Sequence, residues 1–368
     1  MIVLPNQSLT IKVPGKLMVA GEFAVLEPYQ NLIVMAVDRF IYATIKDSKE
    51  NLLTLENFHL QNLHWDYQNK GIQIDSNDKR VNFVEQAMTV ACNYLQEQSI
   101  PLNSFSLKIN SELDDDSGLK YGLGSSAAVV TAVITAILCK HLKEAPSPML
   151  IFKLAAISHV KIQGNGSGAD IAASTYGGIL QYSSFQAEWL LQELSSSDTL
   201  TTLVEKNWKY LTIKKIEYPE RLSLSVGWTG EPASTAKLVD EILKLKIDNP
   251  SQFQRFLTDS KLAVDEILNS VIRGSISDLL EGIKKNRRCL AVIGKAAGIE
   301  IETNLLAELA DVAELLGGAG KLSGAGGGDC GIAFIPSIEK VDKLLKAWIK
   351  VGIKPLSIQP YSKGAHLI

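Results

Sequence analysis

The sequence predicts an α+β protein built from two domains. Its 368 residues are enough for two hydrophobic cores. Predicted strands and helices are mixed along the chain, without the strict alternation of a doubly wound sheet. A polar stretch of small residues at Ser195–Thr202, "SSSDTLTT", predicts a surface crossing before the new strand "RLSLSVGWTG". We therefore divide the chain into residues 1–215 and residues 216–368.

The N-terminal part combines β-rich segments with three helices. Segments such as "LTIKV", "KLMVAG", "NLIVMAV", "RFIYATIK" and "FSLKI" are rich in β-branched residues and are separated by Pro, Gly or Asn, which predicts strands. Helices are predicted at Asn82–Gln96, Ser125–Leu142 and Pro148–Gln163. The second of these is apolar nearly all round, so we expect a central, buried helix.

The C-terminal part begins with the predicted strand "RLSLSVGWTG" and ends with strands around one helix. The closing strands are "KLSG", "GIAFI" and "IKPLSIQP". Five helices are predicted in this part: Ala233–Lys246, Ser251–Ile272, Ile276–Gly294, Glu302–Leu316 and Val341–Val351.

Composition and charge exclude several classes of protein. Hydrophobic residues make up 46% and charged residues 21%, and the net charge of −3 provides no basic surface for nucleic acid or an anionic membrane. The apolar run Ala127–Cys139 is too short for a membrane span, and the first residues lack a secretory apolar core. The four cysteines are scattered without C-x-x-C spacing, which argues against disulfides or a zinc site. We expect a cytoplasmic protein with no nucleic-acid or membrane partner.

The stretch "GLKYGLGSSAA" predicts an anion site at the start of a helix. Gly122 and Gly124 permit close backbone approach and a positive φ. Ser125 or Ser126 is suited to cap the helix, whose first N–H groups favour an anion, and Lys120 adds a positive charge. The alternative is a tight turn that only caps a buried helix.

Two common nucleotide motifs do not explain this stretch. No segment has the Walker A pattern of a P-loop. "GLGSSA" matches a permissive dinucleotide fingerprint, but the required strand does not run directly into its first glycine. "GGGDCG" also matches, but it leads into a predicted strand where that fingerprint needs a helix.

Three glycine segments in a fixed order carry a resemblance to a known family. They are "PGKLMVAGEFAV", "GLGSSAA" and "KLSGAGGGDCG", and either of the outer two, taken alone, is compatible with a hairpin turn. Together they resemble the three motifs of the GHMP kinases, named for galactose, homoserine, mevalonate and phosphomevalonate, over nearly the whole chain. "QGNGSGADIAAS" and "GWTGEPASTAKLV" are similar to the bacterial branch that acts on 5-phosphomevalonate.

The resemblance implies both a fold and a reaction. The fold has an N-terminal domain like domain 2 of ribosomal protein S5, which binds ATP, and a ferredoxin-like C-terminal domain that closes the cleft. ATP and Mg²⁺ would lie between them, and 5-phosphomevalonate would be converted to 5-diphosphomevalonate for isoprenoid precursors. The alternatives are a mevalonate kinase, which phosphorylates a hydroxyl, and a nucleotide-binding regulator that has lost catalysis.

The resemblance also assigns the nucleotide site. Lys120 would add a point charge beside the ATP phosphates, and the Ser126 hydroxyl would be a ligand of Mg²⁺. The phosphates themselves would lie on the middle loop, formed by Gly122, Leu123, Gly124, Ser125, Ser126 and Ala127.

Two residues match the catalytic positions of the family. Lys16 follows Pro14 and Gly15, and a compact ammonium is suited to bridging two phosphate-bearing substrates. Asp170 in "SGAD" matches the catalytic aspartate. The alternatives are a surface lysine on a strand and an N-cap of the following helix.

The acceptor is expected to contact hydroxyls and the glycines of the third segment. Glu22 has the alternative of a surface carboxylate. The residues that the resemblance assigns to the acceptor are Glu22, Ser167, Ser234, Gly324, Gly326 and Gly327.

One stretch departs from the family pattern. Several members have a second magnesium-binding carboxylate upstream of the catalytic aspartate, but residues 145–169 contain no Asp or Glu. His159 lies in this stretch, and we interpret it as an ordinary helix histidine. We likewise interpret Arg287 and Arg288 as part of a solvated helix face. The alternative for these arginines, for Asn82 and for His159 is a contact with the substrate.

Overall fold

The computed structural model describes residues 8–115, 118–217, 221–231 and 235–368, and only the backbone of residues 235 and 236. The strands of this part of the chain are β1 (Leu9–Ala20), β2 (Asn31–Asp47), β3 (Leu52–Leu55), β4 (Leu60–Gln68), β5 (Gly71–Ile74), β6 (Phe105–Ser111), β7 (Ile179–Ser183), β8 (Thr212–Ile216), β9 (Ser223–Trp228), β10 (Ala319–Leu322), β11 (Cys330–Ile335), β12 (Lys354–Leu356) and β13 (His366–Leu367). The α-helices are α1 (Asn82–Glu97), α2 (Ser125–His141), α3 (Pro148–Gln163), α4 (Ala169–Tyr176), α5 (Ala187–Ser196), α6 (Leu200–Glu205), α7 (Thr235–Asp248), α8 (Pro250–Arg273), α9 (Ile276–Ala297), α10 (Asn304–Leu315) and α11 (Ile338–Lys350).

The strands form two sheets, as expected of an α+β protein. The larger sheet has the order β13-β1-β2-β6-β3-β4-β5, and β7 joins it beside β2 and carries β8. Only β3 and β6 run parallel among these described pairs. The smaller sheet is antiparallel, in the order β10-β11-β9-β12. The predicted division at residues 215 and 216 falls at the end of β8.

Helix α2 is the central helix that its composition predicted. Its middle residues, such as Val130, Ile134 and Ile137, are fully buried. It packs against α1 and α3 and against the two long strands β1 and β2. The prediction of a buried central helix is confirmed, and the N-terminus of this helix is fixed beneath the sheet.

The first two strands are longer than the sequence predicted. "LTIKV" and "KLMVAG" are one strand, β1, and "NLIVMAV" and "RFIYATIK" are one strand, β2. The register between them shifts at Pro14 and Gly15. A bulge accommodates the missing N–H of the proline, so the strand bends and continues where we expected it to stop.

The stretch Ser195–Thr202 lies at the surface, as predicted, but it also contains parts of two helices that were not predicted. This stretch holds the end of α5 and the start of α6, and the Thr199 hydroxyl accepts a hydrogen bond from the Thr202 N–H as the cap of α6. Small polar residues therefore mark a helix boundary here. The short strands β3, β4, β5, β7, β8 and β13 were also not predicted.

The C-terminal segment returns to the larger sheet. After β12, Asp38 N–H donates to the Gln359 carbonyl at 3.0 Å. Ala365 N–H donates to the Ser174 carbonyl of α4 at 2.9 Å, and β13 pairs with β1 through Leu367 and Ile11. The tail therefore braces both β1 and α4.

Candidate active site

The middle glycine loop presents the start of α2 without a side-chain cap. Gly122 and Gly124 have φ values of 78° and 79°. Gly124 itself occupies the N-cap position, and no side chain accepts from the first N–H groups of α2. The prediction that Ser125 or Ser126 caps this helix is therefore wrong. The uncapped N–H groups and the helix dipole favour an anion at this end.

Lys16 lies against this loop. Its Nζ donates to the Gly122 carbonyl at 2.8 Å, and its backbone N–H donates to the Leu123 carbonyl at 2.9 Å. The residue is only 8% exposed, so the alternative of a surface lysine is wrong. A Cβ on Gly15 would lie 2.9 Å from the Leu123 carbonyl oxygen, which explains the glycine before Lys16.

Asp170 meets Lys16 across Gly124. A Cβ on Gly124 would lie 2.9 Å from Lys16 Cγ and 3.5 Å from Asp170 Cβ. Asp170 is in the first turn of α4, while Gly168 takes the N-cap position, so the alternative of an N-cap role is wrong. The ammonium, the loop and the carboxylate therefore converge on one place.

The start of α4 is held from beneath by Tyr182. Its buried hydroxyl donates to the Ser167 carbonyl at 2.5 Å. Burial, with a smaller contribution from the charge of Asp170, raises the pKa of Tyr182 well above its usual value. Tyr182 is therefore a neutral donor that fixes the turn before Asp170.

Ser126 contacts a histidine that we interpreted only as part of the core. Its Oγ lies 3.3 Å from His159 Nε2, and the imidazole is buried in α3 beside the Phe83 ring. Burial lowers the pKa of His159, and the charge of Asp170 opposes this, so the ring is neutral at neutral pH. The sequence feature that could have drawn attention to His159 is its position in residues 145–169, a stretch that contains no Asp or Glu.

The third glycine loop, residues 323–328, abuts the middle loop. A Cβ on Gly122 would lie 2.8 Å from Asp329 Oδ2. Cys330 Sγ donates to the Tyr121 carbonyl at 3.0 Å. The middle and third loops are thus in direct contact.

Within the third loop, the glycines have different surroundings. A Cβ on Gly326 would lie 2.2 Å from the Ile301 carbonyl oxygen, and Gly327 N–H donates to the same oxygen at 2.8 Å. Gly324 has a φ of 105°, and nothing lies within 4 Å of its Cβ position. The Cβ position of Gly324 is therefore free of neighbouring atoms, whereas that of Gly326 is blocked by the Ile301 backbone.

Glu22 is buried. It is 4% exposed, and its Oε1 accepts from Lys321 Nζ at 2.5 Å and from Gly324 N–H at 3.4 Å. The alternative of a surface carboxylate is therefore wrong. A direct contact between Glu22 and the acceptor remains a prediction.

The other predicted contacts are distributed differently. Ser167 is half-buried, and its Oγ accepts from Ala169 N–H at 3.3 Å. Lys120 is exposed and forms an isolated backbone β-bridge with Asp114. It lies two residues before Gly122, the first residue of the middle loop. Ser234 lies outside the described residues.

The segment "GWTGEP" also reaches the third loop. Thr229 N–H and its hydroxyl both donate to the Asp329 carbonyl, at 2.9 and 3.0 Å. Trp228 packs edge-on against Tyr121, with ring centroids 5.2 Å apart. The described part of this segment therefore lies beside both the third loop and the start of the middle loop.

The arginine pair lies elsewhere. Arg287 is half-buried and bonds Glu302, Asp311 and Glu314, and these partners raise its pKa further against the opposing effect of burial. The interpretation as a solvated face is wrong for Arg287. Arg288 is exposed and pairs with Glu281.

Comparison with known proteins agrees with this arrangement. Residues 82–178 match the GHMP kinases N terminal domain, and residues 263–354 match the GHMP kinases C terminal domain. The chain is 32% identical over 364 residues to a phosphomevalonate kinase of Streptomyces sp. (strain CL190), covering 95% of this chain and 96% of that protein. The chain belongs to the GHMP kinase family.

Solved structures of the family share the whole fold. The structure of a Lin0012 protein from Listeria innocua has a TM-score of 0.92 at 41% identity, and the match covers 98% of this chain and 99% of that chain. The phosphomevalonate kinase of Streptococcus pneumoniae, solved with phosphomevalonate and AMPPNP, has a TM-score of 0.83 at 27% identity, covering 95% and 99%. The two-domain GHMP kinase fold predicted from the sequence is therefore confirmed.

Proposed function

We propose that this GHMP kinase transfers the γ-phosphoryl group of ATP to 5-phosphomevalonate, which yields ADP and 5-diphosphomevalonate for isoprenoid precursors. The observation that carries the proposal is the convergence of Lys16, Gly124 and Asp170 at the uncapped start of α2. The near full-length similarity to a phosphomevalonate kinase supports the choice of acceptor.

The middle loop would hold the nucleotide. Residues 122–127 bring backbone N–H groups and a helix N-terminus to the phosphates, and this combination stabilises anions. Gly122 and Gly124 are needed because Asp329, Lys16 and Asp170 occupy the space that their side chains would take. Lys120 lies on the exposed side of the loop, where it adds positive charge.

The donor atoms near the phosphates fit magnesium. The described residues contain no group of three or more His, Cys, Asp or Glu able to hold a metal. Ser126 supplies a hydroxyl oxygen and Asp170 a carboxylate, both of the hard type that Mg²⁺ prefers, and ATP oxygens usually complete such a shell. Bound Mg²⁺ would neutralise charge on the phosphates, and Ser126 is the residue that we assign to it.

The acceptor phosphate needs charge neutralisation more than it needs a base. A phosphate monoester has a second pKa of about 6, so it is largely dianionic at neutral pH. Its obstacle is the approach of two anions, and the fixed Lys16 ammonium lowers that barrier. We assign Asp170, which lies beside Gly124 as Lys16 does, to orienting this ammonium during transfer. Ser167, Ser234 and the third loop are assigned to the acceptor.

The alternative functions differ in their acceptor or in catalysis. A mevalonate kinase of Methanocaldococcus jannaschii is 26% identical over 94% of this chain, so mevalonate is the competing acceptor. A regulator without catalysis is disfavoured because Lys16, Ser126 and Asp170 are all present and meet at one loop.

The location that we infer is the cytoplasm. Cys92, Cys139, Cys289 and Cys330 are all unpaired thiols, which suits a reducing compartment. Among the described residues, no helix combines the length and apolar composition needed to cross a membrane.

The acceptor can be decided by measuring ADP release with ATP and Mg²⁺. Mevalonate, 5-phosphomevalonate, homoserine and galactose should be compared at equal concentrations. We expect the highest kcat/KM with 5-phosphomevalonate. A higher value with mevalonate would contradict the proposal, and ADP release with none of the four would favour the regulator.

A further inference from the structure

A buried group of polar side chains joins the first glycine segment to the third. Lys321 in β10 is fully buried, and Glu22, just after β1, is 4% exposed. Lys321 Nζ donates to Glu22 Oε1 at 2.5 Å and to the Leu322 carbonyl at 2.6 Å. Asn286 of α9 is also fully buried, and the amide orientation that satisfies both of its neighbours donates to Glu22 Oε2 and accepts from Gly21 N–H, each at 3.2 Å.

The same buried group also contacts the third glycine loop, residues 323–328. Gly324 N–H donates to Glu22 Oε1 at 3.4 Å. The neighbouring Ser323 hydroxyl donates to the Met18 carbonyl at 3.0 Å and accepts from Met18 N–H at 2.8 Å. Met18 lies two residues after Lys16 in β1. These bonds therefore fix the third loop relative to the strand that carries the catalytic ammonium.

Stability alone does not account for a charged pair at this place. Burial lowers the pKa of Lys321, against the opposing influence of Glu22 and Glu302, which shows the cost of desolvation here. Apolar residues of similar volume often replace a buried ion pair without loss of stability. The surroundings would suit such residues, because Phe23 and Leu322 pack into an apolar cluster of the C-terminal helices.

We propose that Glu22 and Lys321 are positioning residues that hold the loop of residues 323–328 in register with Lys16. The proposal rests on the proposed function for the reaction that it serves. Glu22 acts by accepting from Gly324 N–H, and Lys321 acts by fixing the carboxylate. In this assignment Glu22 acts through the loop, in place of the direct contact with the acceptor that the resemblance implied.

Two double variants separate positioning from stability. Glu22→Gln with Lys321→Met removes both charges but keeps an oxygen for Gly324 N–H. Glu22→Leu with Lys321→Met removes the charges and that oxygen. Because a misplacement of about 1 Å can cost on the order of 10²-fold in rate, we expect a loss approaching that size in kcat for the Leu variant, and a smaller loss for the Gln variant, which keeps the oxygen but lacks the lysine that fixes it. The KM for ATP should be unchanged in both.

Hydrogen exchange and thermal unfolding complete the test. We expect faster exchange of the Gly324 amide in the Leu variant, with unfolding temperatures similar in the two double variants. Wild-type kcat in both double variants, or an equal loss in both, would overturn the proposal. If the Leu variant does not fold, the Gln variant decides, and an unchanged kcat with unchanged exchange of the Gly324 amide there would overturn the proposal.

A surface pair supplies the matched control. Lys246 and Glu27 form an ion pair at 2.6 Å between α7 and the same N-terminal segment, but Lys246 is about half exposed. Lys246→Met should leave kcat unchanged. All rates are taken with whichever acceptor the wild type prefers, so a wrong acceptor assignment would not affect this result.

Discussion

The middle and third glycine loops look alike in sequence, but their glycines meet different neighbours. Beside Gly122 and Gly124, the space for a Cβ is filled by side chains of the site, those of Asp329 and Lys16. Beside Gly326 and Gly328, it is filled by backbone carbonyls, 2.2 and 2.3 Å away. The glycines of the middle loop therefore leave space for the side chains of Asp329 and Lys16. Gly326 and Gly328 in the third loop instead allow two backbone segments to pack together.

This difference follows from what comes after each loop. The middle loop leads into α2, so its N–H groups point at whatever lies before the helix. The third loop leads into β11, whose N–H groups are used in pairing with β9 and β10. A glycine-rich sequence therefore predicts that other atoms approach the backbone closely in both loops. Whether those atoms belong to side chains or to backbone depends on the helix or strand that follows the loop.

The largest effect on kcat is expected for Lys16, whose ammonium donates to the middle loop at Gly122. Lys16→Met should lower kcat by on the order of 10³-fold or more, because a preorganised charge at the phosphates is lost. Asp170→Asn should retain measurable turnover, because the phosphate acceptor needs no deprotonation. Steady-state rates with 5-phosphomevalonate test both.

The control for Lys16 lies in the same strand. Lys12 is also in β1, but its Nζ lies 3.7 Å above the Phe40 ring, and Lys12→Met should leave kcat unchanged. Activity that survives Lys16→Met but is abolished by Asp170→Asn would contradict the mechanism.

Gly326 should matter for folding. Gly326→Ala forces a Cβ against the Ile301 carbonyl at a φ of 77°, and we expect it to lower the free energy of unfolding by roughly 2–4 kcal/mol. Gly324→Ala meets no atom within 4 Å and should cost less. Denaturant unfolding compares the two, and equal losses would contradict the distinction between the packed and open glycines.

Gly124 should matter for nucleotide binding. Gly124→Val places a branched side chain against Lys16 and Asp170, so the affinity for ATP should fall by more than about tenfold while the fold survives. Calorimetric titration measures it. Gly118→Val is the control, because Gly118 has a similar φ of 82° with no atom within 4 Å. Unchanged ATP affinity in Gly124→Val would remove this loop from the nucleotide site.

A smaller effect is expected at Ser126. Ser126→Ala should raise the Mg²⁺ concentration needed for half-maximal rate more than it changes either substrate KM, because a hydroxyl ligand is lost. Ser125→Ala is the control. The same magnesium dependence in both variants would show that the Ser126 hydroxyl is not a ligand.

The smallest effects are expected at the acceptor hydroxyls. Ser167→Ala and Ser234→Ala should each raise the KM for 5-phosphomevalonate several-fold, in line with one lost hydrogen bond to a charged group, and leave the KM for ATP unchanged. Initial rates at varied concentrations of each substrate separate the two constants. A selective rise in the KM for ATP would place these serines on the nucleotide side.

Local patterns predicted much of the fold. The starts of α1, α2, α3 and α9 lie where the sequence placed them. Serine caps mark α3 and α9, whereas α1 and α2 have no side-chain cap and are marked by their apolar residues. The short strands β3, β4 and β5 were missed, since strands of four to nine residues with polar edges carry little periodicity. The continuity of β1 through Pro14 depends on pairing with β2, which is not a local property.

The sequence predicted which motifs form the site, but it did not predict which of their residues contact one another. The family resemblance identified Lys16, Ser126 and Asp170, whose convergence the fold then produces. It gave no indication that Lys321 would pair with Glu22, because 299 residues separate them in the chain. His159 was missed for the same reason, since its contact with Ser126 joins two helices.

The returning C-terminal segment has a consequence for synthesis on the ribosome. The pairing of Ile11 with Leu367 and the bond from Ala365 to Ser174 need residues that are translated long after β1 and α4. Until then the outer edge of β1 has unpaired backbone groups, and such an edge can recruit another strand. Nascent chains stalled before residue 360 should therefore hold α4, and with it Asp170, without this brace.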